Sequence, residues 1–367
     1  MTPRPLRFRG RQRTPDHGPR TNEVMLIQPP ARDIPDPDLD GAAPPAFEPH
    51  PWLRSGHAQT IVGRYWAVPR ARLEATAHQV VLPDGDRLVV LESVPPDWSS
   101  AHPAAVLVHG LAGCAEAPYM VRLGVRLVRL GIRVVRVNLR GAGAGFGLAR
   151  GIYHAGRSDD VRAVLDWLHR RGGGAPMALI GFSLGANLVL KLAAEAAAVP
   201  APGLDCVLAA NPPIDLAACA RRMAQPENRL YDWNFVRWLR GMVRRLHRRF
   251  PELGPVDLDG VKTLYDFDDR YTARRNGFAS ADDYYERCSL LTALARIAVP
   301  GLIVHARDDP FIAHEPFERV PRPANLALEL LGHGGHLGYL SRRPWHGDRR
   351  WLDARLAAWL QAHWALG

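Results

Sequence analysis

Two kinds of apolar pattern recur along the chain. Short runs of consecutive apolar residues predict strands buried on both faces of a sheet, and apolar residues spaced three or four apart predict helices. The strand runs are residues 104–108, 132–137, 177–180, 206–210, 301–305 and 326–330. The helical patterns are residues 119–130, 159–168, 186–195 and 348–362. Strands that alternate with helices predict an α/β protein with a mostly parallel, doubly wound sheet.

Three stretches depart from this alternation and define the domain organisation. Residues 78–82 and 87–94 alternate apolar and polar positions around Asp84-Gly85, which predicts a β-hairpin. Residues 1–45 are rich in Pro, Arg and Asp without periodicity, so we expect a disordered tail before a domain over residues 46–367. Met25 is an alternative start of the protein. Residues 214–295 have helical patterns but no strand run, and we expect a helical cap inserted into the sheet domain.

One predicted helix of the cap, at residues 233–250, has two contrasting faces. Its apolar stripe is Phe235, Trp238, Leu239, Met242, Val243, Leu246 and Phe250. The arginines off this stripe are Arg237, Arg240, Arg244, Arg245, Arg248 and Arg249. Either the stripe packs down on the domain while the arginines stay in water, or the helix lies against an anionic membrane. We expect the first, with at most a weak, salt-sensitive peripheral contact with anionic membrane.

The formal net charge is +10, and nearly all of the basic residues are arginines. The sequence has only two lysines, Lys191 and Lys262. A basic protein can favour nucleic acid or anionic membranes. Apart from Phe8, no aromatic residues are interleaved with the N-terminal arginines, so the pattern of single-stranded nucleic-acid binding is missing. We expect a small-molecule partner and no nucleic acid.

The cysteines and the lack of a long apolar run bear on the compartment. The four cysteines, Cys114, Cys206, Cys219 and Cys288, include no Cys-x-x-Cys pair, which indicates reduced thiols rather than a disulfide framework or a zinc site. No apolar run approaches the roughly 18 residues that span a membrane. The basic N-terminus is not followed by the apolar core of a secretory signal. We therefore expect a cytoplasmic protein.

The segment Gly181-Phe182-Ser183-Leu184-Gly185 stands between a predicted buried strand and a predicted helix. It matches the G-x-S-x-G nucleophile elbow, a sharp strand-to-helix turn where neighbouring backbones pass too close for side chains at the glycines. A chance match in a glycine-rich chain is the alternative, and the flanking strand and helix weaken it. The elbow predicts Ser183 as a nucleophile and the Leu184 N–H as an oxyanion donor.

An acid and a histidine should follow such a serine along the chain, on loops after late strands. Asp308 and Asp309 follow the strand run at 301–305, and His333 and His336 follow the run at 326–330. We expect Asp309 to be the acid because it directly precedes a proline turn, while Asp308 should point elsewhere, toward a backbone N–H. We expect His336 to be the base because two glycines before it leave its ring room to reach the elbow. Asp308 and His333 remain the alternatives.

A second oxyanion donor should come from the loop after residues 104–108, which begins His109-Gly110-Leu111. Gly110 lets the backbone approach the elbow, so we expect the Leu111 N–H to face the oxyanion opposite that of Leu184. We expect His109 to be a structural loop residue.

Two patterns that would indicate a cofactor or a metal are incomplete. Glycines 141, 143, 145 and 147 fall at every second position, with Phe146 where the third glycine of a dinucleotide fingerprint would stand. His333-x-x-His336 near two aspartates would form a metal site if both histidines stood on a helix or a β-ribbon. The intervening Gly334-Gly335 disfavours both structures. We expect neither cofactor nor metal.

Further motifs extend from about residue 51 to the C-terminus. They are His57-Ala58-Gln59-Thr60, His109-Gly110-Leu111-Ala112-Gly113, Asn138-Leu139-Arg140-Gly141, residues 153–160, residues 181–187 and Asn211-Pro212-Pro213. The most specific stretch lies in the cap: Phe267-Asp268-Asp269, Thr272, Gly277-Phe278, Asp282-Asp283-Tyr284-Tyr285 and Ser289. With these motifs the chain resembles the YheT-like family of α/β-hydrolase-fold proteins.

The resemblance implies an α/β-hydrolase fold, a triad of Ser183, Asp309 and His336, and carboxylic-ester hydrolysis. It also implies relatives that act on lipid acyl esters or transfer acyl groups to alcohols. Ala186 departs from the glycine common in the family, although alanine should fit the start of a helix.

The hypothesis is a serine hydrolase that cleaves carboxylic esters, of lipids or of short-to-medium acyl chains, through an acyl-enzyme. An acyltransferase that uses the same triad with an alcohol in place of water is the first alternative. A basic lipid- or nucleic-acid-binding protein with a decayed site is an alternative of another class. The complete set of serine, aspartate and histidine argues against decay.

Overall fold

The computed structural model describes residues 44–66 and 73–366. Nearly all of the tail predicted for residues 1–45, including Met25, lies outside these residues. No helix within the described part of the chain is both long and apolar enough to cross a membrane.

An eight-stranded sheet forms the centre of the fold, and its order is β1-β2-β4-β3-β5-β6-β7-β8. Its strands are β1 Thr76–Val81, β2 Arg87–Ser93, β3 Ala104–Val108, β4 Arg133–Asn138, β5 Met177–Phe182, β6 Leu204–Ala210, β7 Gly301–Ala306 and β8 Leu326–Leu331. The hairpin β1–β2 and the pair β2–β4 are antiparallel, and all other neighbours are parallel. The predicted strand runs, the hairpin and the mostly parallel sheet are confirmed.

Helices cover both faces of this sheet. They are α1 Gly56–Tyr65, α2 Pro118–Arg129, α3 Ser158–Gly172, α4 Leu184–Glu195, α5 Leu216–Met223, α6 Arg229–Arg249, α7 Leu264–Phe267, α8 Ala281–Cys288, α9 Glu315–Arg319 and α10 Trp351–His363. Apolar residues of α2 and α10 form one core with one face of the sheet. Residues of α3, α4 and α6 form a second core with the other face. The doubly wound arrangement is therefore also confirmed.

The predicted start of the last helix is wrong. Residues 348–350 are strand β10 Asp348–Arg350, which pairs antiparallel with β9 Leu340–Trp345. His346 and Gly347 between them have φ angles of 45° and 77°, and consecutive positive φ values suit a tight hairpin turn. Because this hairpin takes up residues 348–350, α10 begins only at Trp351.

The chain between β6 and β7 is helical and contains no strand over residues 211–300, all of which the structure describes. Its longest helix, α6, begins at Arg229, four residues before the predicted start. Leu239, Met242, Val243 and Leu246 of its apolar stripe are buried in the same core as α3 and α4, together with the neighbouring Val236. The stripe therefore packs down on the domain, while Arg237, Arg244, Arg245, Arg248 and Arg249 lie exposed.

One buried ion cluster joins motifs that the sequence analysis singled out. The guanidinium of Arg140 donates Nε and Nη2 to the two oxygens of Asp160, both at 2.7 Å. Its Nη1 contacts Asp86 at 2.6 Å and Asp84 at 2.7 Å. Arg140 and Asp160 are 3% and 2% exposed. This bidentate pair ties the end of β4 to the first turn of α3 and to the hairpin turn.

Candidate active site

Ser183 stands at the turn between β5 and α4, with φ 53° and ψ −121°. This strained conformation is rare for a residue with a side chain. A Cβ at Gly181 would lie 2.3 Å from the Gly185 oxygen, and one at Gly185 would lie 2.3 Å from the Val108 oxygen. Only glycine fits at either position, so the turn has the geometry of a nucleophile elbow.

The elbow serine belongs to a chain of hydrogen bonds with His336 and Asp309. Ser183 Oγ lies 3.0 Å from His336 Nε2, and His336 Nδ1 lies 2.8 Å from Asp309 Oδ2. With the imidazole proton on Nδ1, His336 donates to the carboxylate and accepts the serine O–H at Nε2. The arrangement can move a proton from Ser183 to His336 while a negative charge stabilises the imidazolium.

Asp309 is fully buried, and both of its carboxylate oxygens face donors. Oδ1 accepts from the amides of Phe311 at 2.8 Å and Ile312 at 3.2 Å, and Oδ2 also accepts from Asn211 Nδ2 at 2.6 Å. Burial raises the pKa of Asp309, but the charge of His336 and its hydrogen bond outweigh burial and hold the pKa below its ordinary value. Asp309 is therefore held as a carboxylate.

The neighbouring Asp308 turns away from His336. Its Oδ1 accepts from the Gly335 N–H at 2.8 Å, and its Oδ2 lies 3.4 Å from Nδ1 of the exposed His333. Burial raises the pKa of Asp308. The two aspartates thus have separate partners: one holds the imidazole, and the other holds the backbone of the loop that carries it.

The loop that carries His336 packs on helix α1 and is hydrogen-bonded to it. The His336 N–H donates to Thr60 Oγ1 at 2.8 Å, and Thr60 Oγ1 donates to the Gly56 oxygen at 2.7 Å. A Cβ at Gly335 would lie 2.3 Å from that same Gly56 oxygen. The fully buried Gln59 bonds both the N–H and the C=O of Leu340 just beyond the loop. These contacts give the His57-Ala58-Gln59-Thr60 motif a structural role.

The two predicted oxyanion amides belong to Leu184, the residue after Ser183, and to Leu111, in the loop that passes next to Ser183. Leu184 is the first residue of α4, where backbone N–H groups have no partner within the helix and the helix dipole favours negative charge. Gly110 lies against the elbow: a Cβ there would stand 2.9 Å from Ser183 Cβ and 3.4 Å from its Oγ. Leu111 is the next residue of this loop.

Phe311, which follows β7, contacts the imidazole and connects it to aromatic rings of α6. The ring of Phe311 is 4.7 Å from that of His336, and Tyr231 and Phe235 of α6 lie 4.8 Å and 5.8 Å from Phe311. His57 of α1 stacks on Tyr231 and shares one hydrogen bond with its hydroxyl at 3.2 Å. The histidine side of the site is thus lined by apolar ring surface.

Within the described residues, Asp205, Cys206 and His363 are a group whose potential metal-ligand atoms lie within 4.8 Å of one another. Asp205 Oδ2 already pairs with His363 Nε2 at 2.7 Å and with the Trp364 indole N–H at 2.8 Å. The group also lies at the start of β6, whereas the site is at the ends of the parallel strands. Ordinary hydrogen bonding accounts for it.

The positioning role of Asn211 is not predicted from the sequence, although Asn211-Pro212-Pro213 is one of the motifs of the resemblance. Besides its bond to Asp309, Asn211 donates to the Gly335 oxygen at 3.2 Å and accepts from the Tyr339 hydroxyl at 3.0 Å. Its φ of 48° and its complete burial show a residue held in place. A polar residue at the end of a buried strand, directly before two prolines, was the available signal.

Comparisons with known proteins agree with this architecture. Residues 105–362 match the model of the Alpha/beta hydrolase family. The chain is 33% identical over 327 residues to the esterase candidate YheT of Escherichia coli (strain K12), covering 86% of this chain and 93% of YheT. It is 28% identical over 278 residues to Phospholipase ABHD3 of Mus musculus, covering 72% of this chain and 64% of that protein.

Among solved structures, the Pyrococcus furiosus esterase Pf2001 has the same fold with a TM-score of 0.51 at 17% identity, covering 79% of this chain and 93% of that chain. The chain therefore belongs to the alpha/beta hydrolase family, and within it to the YheT-like proteins.

Proposed function

We propose that the protein is a serine hydrolase that cleaves carboxylic esters through an acyl-enzyme, with Ser183 as nucleophile, His336 as general base and acid, and Asp309 as the acid that orients the imidazole. The observation that carries this proposal is the continuous hydrogen-bonded chain from Ser183 Oγ to the buried Asp309 carboxylate. The elbow turn exposes the serine hydroxyl to a substrate carbonyl.

In the first half of the reaction, Ser183 Oγ forms a bond to the ester carbonyl carbon while its proton passes to His336 Nε2. The carbonyl oxygen becomes negative and is stabilised by the N–H groups of Leu111 and Leu184. When the intermediate collapses, the bond from carbon to the alcohol oxygen breaks and Nε2 returns the proton to that oxygen. The alcohol leaves and the acyl group stays on Ser183.

In the second half, His336 Nε2 takes a proton from water and the resulting hydroxide adds to the acyl carbon. The new tetrahedral intermediate expels Ser183 Oγ, which regains its proton from Nε2, and a carboxylic acid is released. Asp309 remains ionised throughout, because its role is to hold the Nδ1 proton and the imidazolium charge.

The rings beside the histidine and the names of the relatives support a proposal for the substrate class. Since Nε2 must protonate the leaving oxygen, the ring surface of Phe311, Tyr231 and Phe235 borders the path of that group or of the acyl chain. Such a surface favours an apolar substituent over a charged one. Esters of lipids or of short-to-medium acyl chains fit this environment, and the relatives named as esterase and phospholipase support it.

Two alternatives remain for the experiment to separate. An acyltransferase would use an identical first half and an alcohol in place of water in the second. A binding protein with a decayed site would lack a reactive serine, which the hydrogen-bonded arrangement of Ser183 and His336 argues against.

The test combines covalent labelling with a substrate series. Wild type should be labelled by a fluorophosphonate and should hydrolyse p-nitrophenyl esters of increasing chain length. Ser183→Ala should lose both properties, and Ser100→Ala, at an exposed serine, should keep both. Hydrolysis that survives in Ser183→Ala, or a wild type that resists the label, would refute the proposal. Transfer of most acyl groups to an added alcohol would instead establish the acyltransferase.

A further inference from the structure

The loop after β3 forms a tight turn against the nucleophile, and its conformation is strained. The Gly113 N–H donates to the Gly110 oxygen at 3.1 Å, which closes the turn. Ala112 within it has a φ of 59°, which a residue with a Cβ adopts only when its surroundings hold it there. Something other than local preference therefore fixes this loop.

Two tyrosine hydroxyls hold the loop by accepting hydrogen bonds from its amides. The Gly110 N–H donates to the Tyr119 hydroxyl at 3.1 Å, and the Ala112 N–H donates to the Tyr153 hydroxyl at 2.8 Å. The Leu111 N–H between them has no acceptor among residues 44–66 and 73–366. Together with the Leu184 N–H at the start of α4, this open donor in the loop next to Ser183 leaves a place for a ligand oxygen.

Both tyrosines are anchored to the catalytic region by their rings. Tyr119 packs on Phe182, the residue before Ser183, with ring centroids 4.7 Å apart. Tyr153 is 3% exposed, and its ring stands edge-on to His109 at 5.6 Å. Burial raises the pKa of both phenols, that of Tyr119 to about 12, so both hydroxyls stay protonated and neutral.

His109 orients the same peptide from its other side. The Leu139 N–H donates to His109 Nε2 at 3.2 Å, so the imidazole proton lies on Nδ1 and is donated to the Gly110 oxygen at 2.7 Å. Burial lowers the pKa of His109 to about 4, which keeps this tautomer neutral. Since the peptide is planar and trans, holding the Gly110 C=O also fixes the direction of the Leu111 N–H.

We propose that Tyr119 and Tyr153 are positioning residues for ester hydrolysis. Their hydroxyls hold the amides on both sides of the Leu111 peptide and so aim its N–H at the oxygen that becomes negative when Ser183 attacks. The assignment rests on the proposed function and adds to it a role for Tyr153, which lies in a motif without a catalytic residue.

The role predicts a kinetic signature that a purely structural role does not share. An oxyanion donor interacts most strongly with the tetrahedral transition state, so a misaimed donor lowers kcat and leaves KM nearly unchanged. A mutation that only loosens the fold instead lowers the melting temperature without changing kcat of the folded fraction.

The experiment compares Tyr119→Phe, Tyr153→Phe and the double variant with the matched control Tyr284→Phe. The buried Tyr284 hydroxyl also accepts from a backbone amide, that of Ala155 at 2.9 Å, but it lies in the helical cap segment rather than in the β3 loop. For each protein we would measure kcat and KM with p-nitrophenyl butyrate, the melting temperature, and inhibition by a trifluoromethyl ketone that forms a tetrahedral adduct with serine.

Each single variant should lower kcat about tenfold and the double variant about 100-fold, near the loss of roughly 10²–10³ that removal of one oxyanion donor causes. KM should stay within about twofold, and the inhibition constant of the ketone should rise with the fall in kcat/KM. Tyr284→Phe should lower the melting temperature comparably and leave kcat and inhibition at wild-type values.

Wild-type kcat in both tyrosine variants, with melting temperatures lowered as in Tyr284→Phe, would overturn the assignment. A rise in KM alone would do the same. If either tyrosine variant does not fold, the other decides the matter alone. A wild type without Ser183-dependent hydrolysis would refute the proposed function itself, whereas an active wild type with fully active tyrosine variants would refute only this inference.

Discussion

Replacing Asp309 by asparagine tests the assignment of the acid most sharply, because the side chain keeps its size and loses only an acceptor. All four donors around Asp309 point at carboxylate oxygens: two backbone amides at Oδ1, and His336 and Asn211 at Oδ2. An amide has a single oxygen, so in either orientation its NH₂ faces two donors. The substitution must therefore disturb the loop backbone or the histidine.

The expected loss of kcat can be worked out for the orientation in which the new NH₂ group faces His336. The imidazole must then accept at Nδ1 and carry its proton on Nε2, where it can no longer take the proton of Ser183. Loss of the correct tautomer in a serine triad lowers kcat by about 10⁴-fold, equivalent to about 5 kcal/mol of transition-state stabilisation. We expect Asp309→Asn to show a loss of this size.

Asp308→Asn is the matched control, since it makes the same change one residue away. The amide oxygen can still accept from the Gly335 N–H, and only the long 3.4 Å contact with exposed His333 is lost. We expect kcat to stay within about threefold of wild type, because the bond that holds the loop backbone is kept. Both variants would be assayed for kcat and KM with a p-nitrophenyl ester and checked by thermal melting.

If Asp308→Asn proved the more damaging, the acid would be Asp308 and the assigned hydrogen-bonded chain would not be the reactive one. If a folded Asp309→Asn kept more than about a tenth of wild-type kcat, the imidazole would not depend on this carboxylate.

Other predictions concern the nucleophile, the buried charges and the cap. Ser183→Ala and His336→Ala should each lower kcat by about 10⁴-fold or more, and kcat of the double variant should be little lower, because the triad acts as a unit. Arg140→Met leaves buried carboxylates unpaired, so urea unfolding should show a loss of about 3–5 kcal/mol, against at most about 1 kcal/mol for Arg150→Met at an exposed pair. Burial raises the pKa of Asp268 to about 6. The protonated carboxyl therefore contributes fully to folding stability below about pH 4, and this contribution is lost as the pH rises through 6. The free energy of unfolding of Asp268→Asn relative to wild type should therefore rise by about 2 kcal/mol between about pH 4 and pH 7. Vesicle sedimentation should show at most weak binding to anionic lipid, lost in moderate salt, and ester hydrolysis should survive conversion to Gln of Arg244, Arg245, Arg248 and Arg249. Tight vesicle binding abolished by those changes would contradict the packing of α6 as a cap.

Local signals account for the parts of the fold that the sequence predicts well. The run at 104–108 coincides with β3 because a strand covered on both faces must be apolar at every position. The elbow is equally local, since its glycines and serine lie within five residues. Strand β9, with the sequence Leu-Ser-Arg-Arg-Pro-Trp, has neither an apolar run nor alternation. It forms because the tight turn brings it against its partner β10. Since neither strand has a recognisable pattern, the sequence predicts a helix at residues 348–350 instead.

The site contains contacts that no window of sequence reveals. Asn211 reaches Asp309 across 98 positions, and it reaches Gly335 across 124. Its amide is recognisable as part of the site only after β6 and β7 are placed side by side. Tyr119 and Tyr153 also have ordinary sequence contexts, a helix start and a loop, and their importance depends on which amides their hydroxyls meet.

The contact of the His336 loop with α1 joins the last part of the chain to the first. Thr60 and His336 are 276 residues apart in the chain. At about 5–20 residues added per second, Thr60 is synthesised roughly 14–55 s before His336. The elbow is complete by Glu195, but it then has neither base nor acid. In the proposed mechanism, a nascent or truncated chain that ends before residue 336 therefore carries an unactivated serine, and hydrolysis begins only when the last part of the chain docks on the first.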